Sequence, residues 1–110
     1  METGFVKVGD TSQIPLSSMK LYRINNQAIL VCNVNGAFFA INGKCTHMGG
    51  DLSKGSLEGN IVTCPRHHSR FDVTTGKVVS HPKIPLIHPK IKDEQTYEVK
   101  IENGSVMLKL

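Results

Sequence analysis

The run QAILVCNVNGAFFAIN, residues 27–42, holds two apolar segments, Gln27–Val34 and Ala37–Asn42, on either side of Asn35-Gly36. Asparagine and glycine both tolerate the positive φ that a two-residue hairpin turn demands, so the segments are expected to pair antiparallel. Neither has the regular polar face of a half-wet strand, which marks both as buried central strands. Cys32, in the middle of the first, reads as a small core residue.

Working outward, a second Asn-Gly stands at 103–104. Before it Tyr97, Val99 and Ile101 alternate with Glu98, Lys100 and Glu102, and after it Val106, Leu108 and Leu110 answer them. This period of two is that of strands with one wet face, and such a terminal hairpin needs a partner sheet to bury its apolar side. Phe5–Val8 and Lys20–Ile24 read as further short strands, and no segment carries a capped apolar stripe of helical period. The expected fold class is all-β.

Between Gly43 and Pro89 the texture changes. The strands shorten to Asn60–Cys64, Ser69–Val73 and Lys77–Ser80, and glycines at 49, 50, 55, 59 and 76 impose repeated turns. One domain, 1–110, is expected: a larger β base built from 1–42 and 86–110, with a small subdomain, 43–85, inserted into it. A chain of 110 residues with 39% hydrophobic and 20% charged residues is long and apolar enough to fold around a core without disulfides, which excludes a disordered chain.

No apolar run approaches the roughly 18–20 residues that span a bilayer, and residues 1–10 do not read as a leader, so a cytoplasmic location away from membranes is expected. Three cysteines at irregular spacing argue against a secreted disulfide framework and leave metal binding or burial. The net charge of +4 suits an acidic protein partner. Lysines are scattered, with one loose cluster at Lys83, Lys90 and Lys92. The six aromatics are not interleaved with it as a base-stacking platform would require, so nucleic acid is not an expected partner.

The chemistry sits inside the insert. Cys45-Thr46-His47 is followed, after residues 48–63, by Cys64-Pro65-Arg66-His67. Each piece offers one sulfur and one nitrogen donor: a soft thiolate suited to iron in a sulfide cluster, and an imidazole able to hold iron or zinc. Two matched pairs point to a site with two chemically different ends. The competing reading is a zinc-stabilised β module that binds protein or nucleic acid, although zinc modules usually group their cysteines together and their histidines together. His81 and His88 each precede a proline and read as exposed turn residues.

The pattern C-x-H followed by C-x-x-H resembles the Rieske [2Fe-2S] family. The likeness extends past the four donors: CTHMGG (45–50) is similar to the first cluster loop, CPRHHSRFD (64–72) to the second, and Gly76 with HPKIP (81–85) to the loop that shields the cluster. What the resemblance implies is a Rieske-like antiparallel β-sandwich or barrel base with an inserted cluster-binding subdomain. It further implies one [2Fe-2S] cluster per chain, with Cys45 and Cys64 on the buried iron and His47 and His67 on the outer one. Around them Met48 would screen the cluster from water, Gly49 would let backbone donors approach, Pro65 would fix the second loop, and Ser69 and Phe71 would lie beside the cluster.

Two thiolates and two imidazoles leave an oxidised cluster near zero formal charge, so an electron is added more easily than to a four-cysteine cluster; the family spans roughly −150 to +300 mV. The respiratory branch carries a disulfide between the positions of Gly50 and Arg66, and a tyrosine donor at that of Phe71. Neither is present, which implies a lower potential than that branch. His68 stands where the family has glycine, a position that demands a backbone conformation costly for a side chain; it is also the alternative ligand to His67. The implied activity is that of a soluble, monomeric one-electron carrier between a reductase and a terminal oxygenase or other redox partner with an acidic docking surface. No catalytic residue is implied.

Overall fold

The computed structural model describes residues 4–46, 49–81 and 90–110. Among the described residues ten strands run in chain order: β1 Phe5–Asp10, β2 Met19–Ile24, β3 Gln27–Val34, β4 Ala37–Asn42, β5 Ser56–Glu58, β6 Ile61–Thr63, β7 Arg70–Asp72, β8 Val78–Ser80, β9 Thr96–Glu102 and β10 Ser105–Lys109. The helical turns among the described residues are two short 3-10 turns, Thr11–Gln13 and Leu52–Lys54. Among the described residues no helix is long and apolar enough to cross a membrane.

The hairpin at 27–42 forms as its sequence requires. β3 pairs antiparallel with β4, from Val34 opposite Ala37 to Ile29 opposite Asn42. The turn residues Asn35 and Gly36 take φ of 53° and 91°, and Asn103 and Gly104 repeat this at 50° and 77°. A third turn of the same kind joins β2 to β3 through Asn25 and Asn26, at φ 50° and 66°. It was not anticipated, although two asparagines between apolar runs carry the same chemistry as Asn-Gly.

Six strands make the larger sheet in the order β1-β10-β9-β4-β3-β2, and β5-β6-β7-β8 make the smaller one. The terminal hairpin finds its partners on both sides: β9 joins β4 through Tyr97 opposite Ala40, and β10 joins β1. Val106 and Leu108 are fully buried, whereas Ile101 and Leu110 are exposed, so the apolar face of this hairpin is covered only along part of its length. The small sheet begins with β5, which the sequence did not disclose; its three residues are too few to show a period.

β3 explains why both of its faces are apolar. Ile29 and Val31 pack with Ile14, Ala40, Val106 and Leu108 into one core, while Leu30 and Cys32 face a second core shared with Ile41, Leu52, Val62, Phe71, Val73, Cys45 and Cys64. The second core draws on both sheets and contains both motif cysteines.

Candidate metal centre

Each cysteine opens a loop that is closed by its own backbone. In the first, the Cys45 N–H donates to the Gly50 carbonyl at 2.8 Å and the Gly49 N–H to the Cys45 carbonyl at 2.8 Å. Gly49 takes φ of 71° to make that turn. In the second, the Cys64 N–H donates to the Ser69 carbonyl at 2.8 Å, and the His68 N–H to the Cys64 carbonyl at 3.2 Å. His68 does so at φ 64°, the left-handed region that favours glycine, so a side chain here carries backbone strain.

The two loops meet. A Cβ placed on Gly50 would lie 3.0 Å from the Cys64 sulfur and 3.1 Å from Arg66 Cδ. Without a disulfide, the loops are held together by this close contact and by the shared core beneath them. Cys45 and Cys64 are both buried and neither is in a disulfide. Ser69 is fully buried, with its hydroxyl 3.2 Å from the Cys45 sulfur. Phe71 is fully buried in the core that holds both cysteines and brings no hydroxyl with it.

His67 is half-buried and its Nδ1 is enclosed, whereas His68 next to it is exposed. That arrangement favours His67 over His68 as the inward-facing imidazole. Pro65 and Arg66 are exposed on the same loop. His47, Met48, Lys83, His88 and residues 82–85, in which a shielding loop is expected, lie outside the described residues. His81 is exposed, with Nδ1 accepting weakly from the Ile91 N–H at 3.4 Å.

Residues 92–95 (KDEQ) cross the site, and nothing in their sequence announced it. The Lys92 carbonyl accepts the Thr46 hydroxyl at 2.7 Å, and Asp93 Oδ1 accepts the Val78 N–H at 2.9 Å. Glu94 Oε2 accepts the Thr46 N–H at 3.0 Å, the Glu94 N–H donates to the Gly76 carbonyl at 2.7 Å, and the Gln95 carbonyl accepts the Asn42 N–H at 2.9 Å. Glu94 is 5% exposed. Burial pushes its carboxyl up to about 7, with the Thr46 N–H pulling partly the other way. A four-residue stretch of charged and amide side chains reads as solvated chain, so only the tertiary structure reveals that the Glu94 carboxyl is buried against Thr46.

The donor chemistry fits an iron–sulfur cluster: two buried soft sulfurs in one apolar core, a hydroxyl against one of them, and an imidazole on the outer loop with one nitrogen turned inward. Comparison with known proteins agrees. Residues 4–97 match the model of the Rieske [2Fe-2S] domain. The chain is similar to the ferredoxin component of the naphthalene 1,2-dioxygenase/salicylate 5-hydroxylase systems of Ralstonia sp., 37% identical over 110 residues, covering all of this chain and 99% of the relative. It is also similar to the ferredoxin component of the 2,4-dinitrotoluene dioxygenase system of Burkholderia sp. (strain RASC), 36% identical over 110 residues, again covering all of this chain and 99% of that protein.

Among solved structures, a chain from a complex of reduced oxygenase and oxidised ferredoxin in carbazole 1,9a-dioxygenase superposes with a TM-score of 0.81 at 27% identity, covering 98% of this chain and 94% of that one. The ferredoxin of carbazole 1,9a-dioxygenase from Nocardioides aromaticivorans IC177 shares the fold, with a TM-score of 0.83 at 20% identity over 96% of this chain and 97% of that one. These matches give the zinc-module reading no support. With its two sheets, its paired loops and its full-length likeness to electron-carrying components, the chain belongs to the Rieske [2Fe-2S] domain family, as a one-electron carrier with one cluster.

Proposed function

We propose that this protein delivers electrons to the terminal oxygenase of an aromatic-ring dioxygenase system, holding its cluster through Cys45, His47, Cys64 and His67, with 43–85 as the cluster-binding subdomain. The observation that carries the ligand reading is the convergence of the two loops: both thiols enter one core, Ser69 Oγ stands 3.2 Å from the Cys45 sulfur, and His67 turns Nδ1 inward. The choice of an oxygenase as acceptor is supported by likeness, over the whole chain, to ferredoxin components of dioxygenase systems.

When bound, the cluster supplies a site that takes up and gives back one electron without bond chemistry. The protein's own residues shape that site. The core around Cys45 and Cys64 excludes water from the inner side. The Ser69 hydroxyl is positioned to donate to the Cys45 thiolate, which favours the more negative reduced state. Exposed Lys44 precedes Cys45, exposed Arg66 lies on the second loop, and exposed Lys92 lies on the segment bonded to Thr46, cations suited to brief docking on an acidic surface of the redox partner. The proposed carrier acts in the cytoplasm as a monomer, one cluster per chain being enough to carry one electron to the partner.

The test begins with visible and electron-spin spectra of the purified protein before and after one-electron reduction. A coloured protein whose reduced form has the low average g value of histidine ligation is expected; a colourless protein containing zinc would overturn the reading. Mixed with a reductase and the oxygenase of a naphthalene-type system, the chain should restore dihydroxylation, and that rate should fall steeply with added salt. No restoration would refute the oxygenase as acceptor.

A further inference from the structure

Three polar or charged residues are buried among the described residues: Asn33, Ser69 and Glu94. The first two have evident reasons. Asn33 donates to the Ile14 carbonyl at 2.8 Å and accepts from the Gly36 N–H at 2.9 Å, which ties the β3–β4 turn, and Ser69 faces a motif cysteine. Glu94 has no part in the electron-carrying reading so far. Burying a carboxylate where an apolar side chain would fit opposes folding, so its partner matters.

That partner is Thr46, the residue between Cys45 and His47. Its N–H goes to Glu94 Oε2 at 3.0 Å and its hydroxyl to the Lys92 carbonyl at 2.7 Å, so both of its hydrogen-bond donors are held by one strap arriving from the far end of the sequence. The strap is itself fixed. Glu94 donates its own N–H to Gly76 at 2.7 Å, and Gly76, at φ 78°, has no room for a Cβ because the Glu94 carbonyl oxygen occupies that space. Among the described residues the first loop closes on itself through Cys45, Gly49 and Gly50, and Thr46 is tied to the strap outside the loop.

We propose that Glu94 is a positioning residue for the first ligand loop: by taking the Thr46 N–H from the strap at 92–94, it sets the geometry in which Cys45, the preceding residue, is presented to the cluster. The inference rests on the ligand assignment of the preceding subsection. A carboxyl oxygen accepts the backbone N–H whether or not the group is ionised, and a loop held from a separate element keeps its shape when its own ligand bonds break.

The experiment compares the cluster-loaded wild type with Glu94→Gln, Glu94→Leu, Glu94→Asp and Thr46→Val. It measures the rate of cluster loss to a chelator, the midpoint potential, the global thermal transition, and amide exchange of the 44–50 peptide by mass spectrometry. Glu94→Leu removes a buried carboxyl, so a residue that is only tolerated in the core would give equal or higher thermal stability with unchanged cluster loss and potential; that result overturns the proposal. A positioning role predicts cluster loss faster by about tenfold, a shifted potential and faster exchange at 44–50, all without a lower thermal transition. Glu94→Gln, which keeps an oxygen acceptor, should stay within about twofold of wild type in cluster loss.

If Glu94→Leu fails to fold, Glu94→Asp carries the test, since it draws the carboxyl back from the Thr46 N–H, while Thr46→Val reports separately on the hydroxyl bond to Lys92. Cluster loss about threefold faster in Glu94→Asp supports the positioning role, and an unchanged rate refutes it. A wild type with the Rieske spectrum but insensitive variants sinks this proposal alone; a wild type without that spectrum brings down the ligand assignment as well.

Discussion

Cys32 is fully buried in the core that also contains Leu30, Ile41 and Phe71, and burial pushes its thiol up to about 12. As a neutral, enclosed thiol it should be inert: an aromatic disulfide reagent at pH 8 should release no colour from the native, loaded protein, and three equivalents after denaturation with a chelator. Glu94 gives the fold a pH dependence. Its carboxyl titrates near 4.5 in the unfolded chain and near about 7 in the fold, so between those values the folded state binds the extra proton. Its contribution is therefore fully present below pH 4.5 and is lost as pH rises through about 7, a change on the order of 3 kcal/mol. Urea unfolding at pH 5 and pH 8 should differ more for wild type than for Glu94→Gln. His68 supplies a third prediction. Its φ of 64° suits glycine, so His68→Gly should stabilise by about 0.5–1 kcal/mol, seen as a thermal transition a few degrees higher with an unchanged visible spectrum.

Glycine 76 shows how one element holds another. It takes φ of 78°, and a Cβ there would run into the Glu94 carbonyl, whereas Gly59, at φ 59°, has open space around it. Gly59→Ala should cost about 1 kcal/mol for the backbone alone, and Gly76→Ala about 2–4 kcal/mol with faster cluster loss, both read from urea unfolding and visible absorbance. The same contrast explains what the sequence could disclose. β3 and β4 were legible because unbroken apolar runs flank Asn-Gly, and the paired loops because four donor residues keep a specific spacing. β5 was hidden because Ser56–Glu58 is too short to have a period, and Ile101 reads as a core residue although its outward end of β9 lies uncovered. Glu94 was illegible for a different reason: within KDEQ nothing local distinguishes a carboxylate facing water from one facing a loop 48 residues earlier.

On the scale of the whole molecule, β3 gives one face to each of the two cores, so neither core can open without exposing a strand of the other. Loss of visible absorbance and loss of far-ultraviolet ellipticity should therefore coincide in a single thermal transition, and separated transitions would show that the cluster end melts by itself. The strap at 92–95 has a consequence for biosynthesis. Cys45 and Cys64 leave the ribosome well before Glu94, and β1 stays without its neighbour until β10, the final strand, has been made. Until Glu94 has been made, a nascent chain thus carries bare thiols in loops that lack their strap, and iron delivered then would meet a site of the wrong shape. Loading belongs after Glu94 and β10 have been made, so segments downstream of both motif cysteines set the time at which a centre encoded before them can mature.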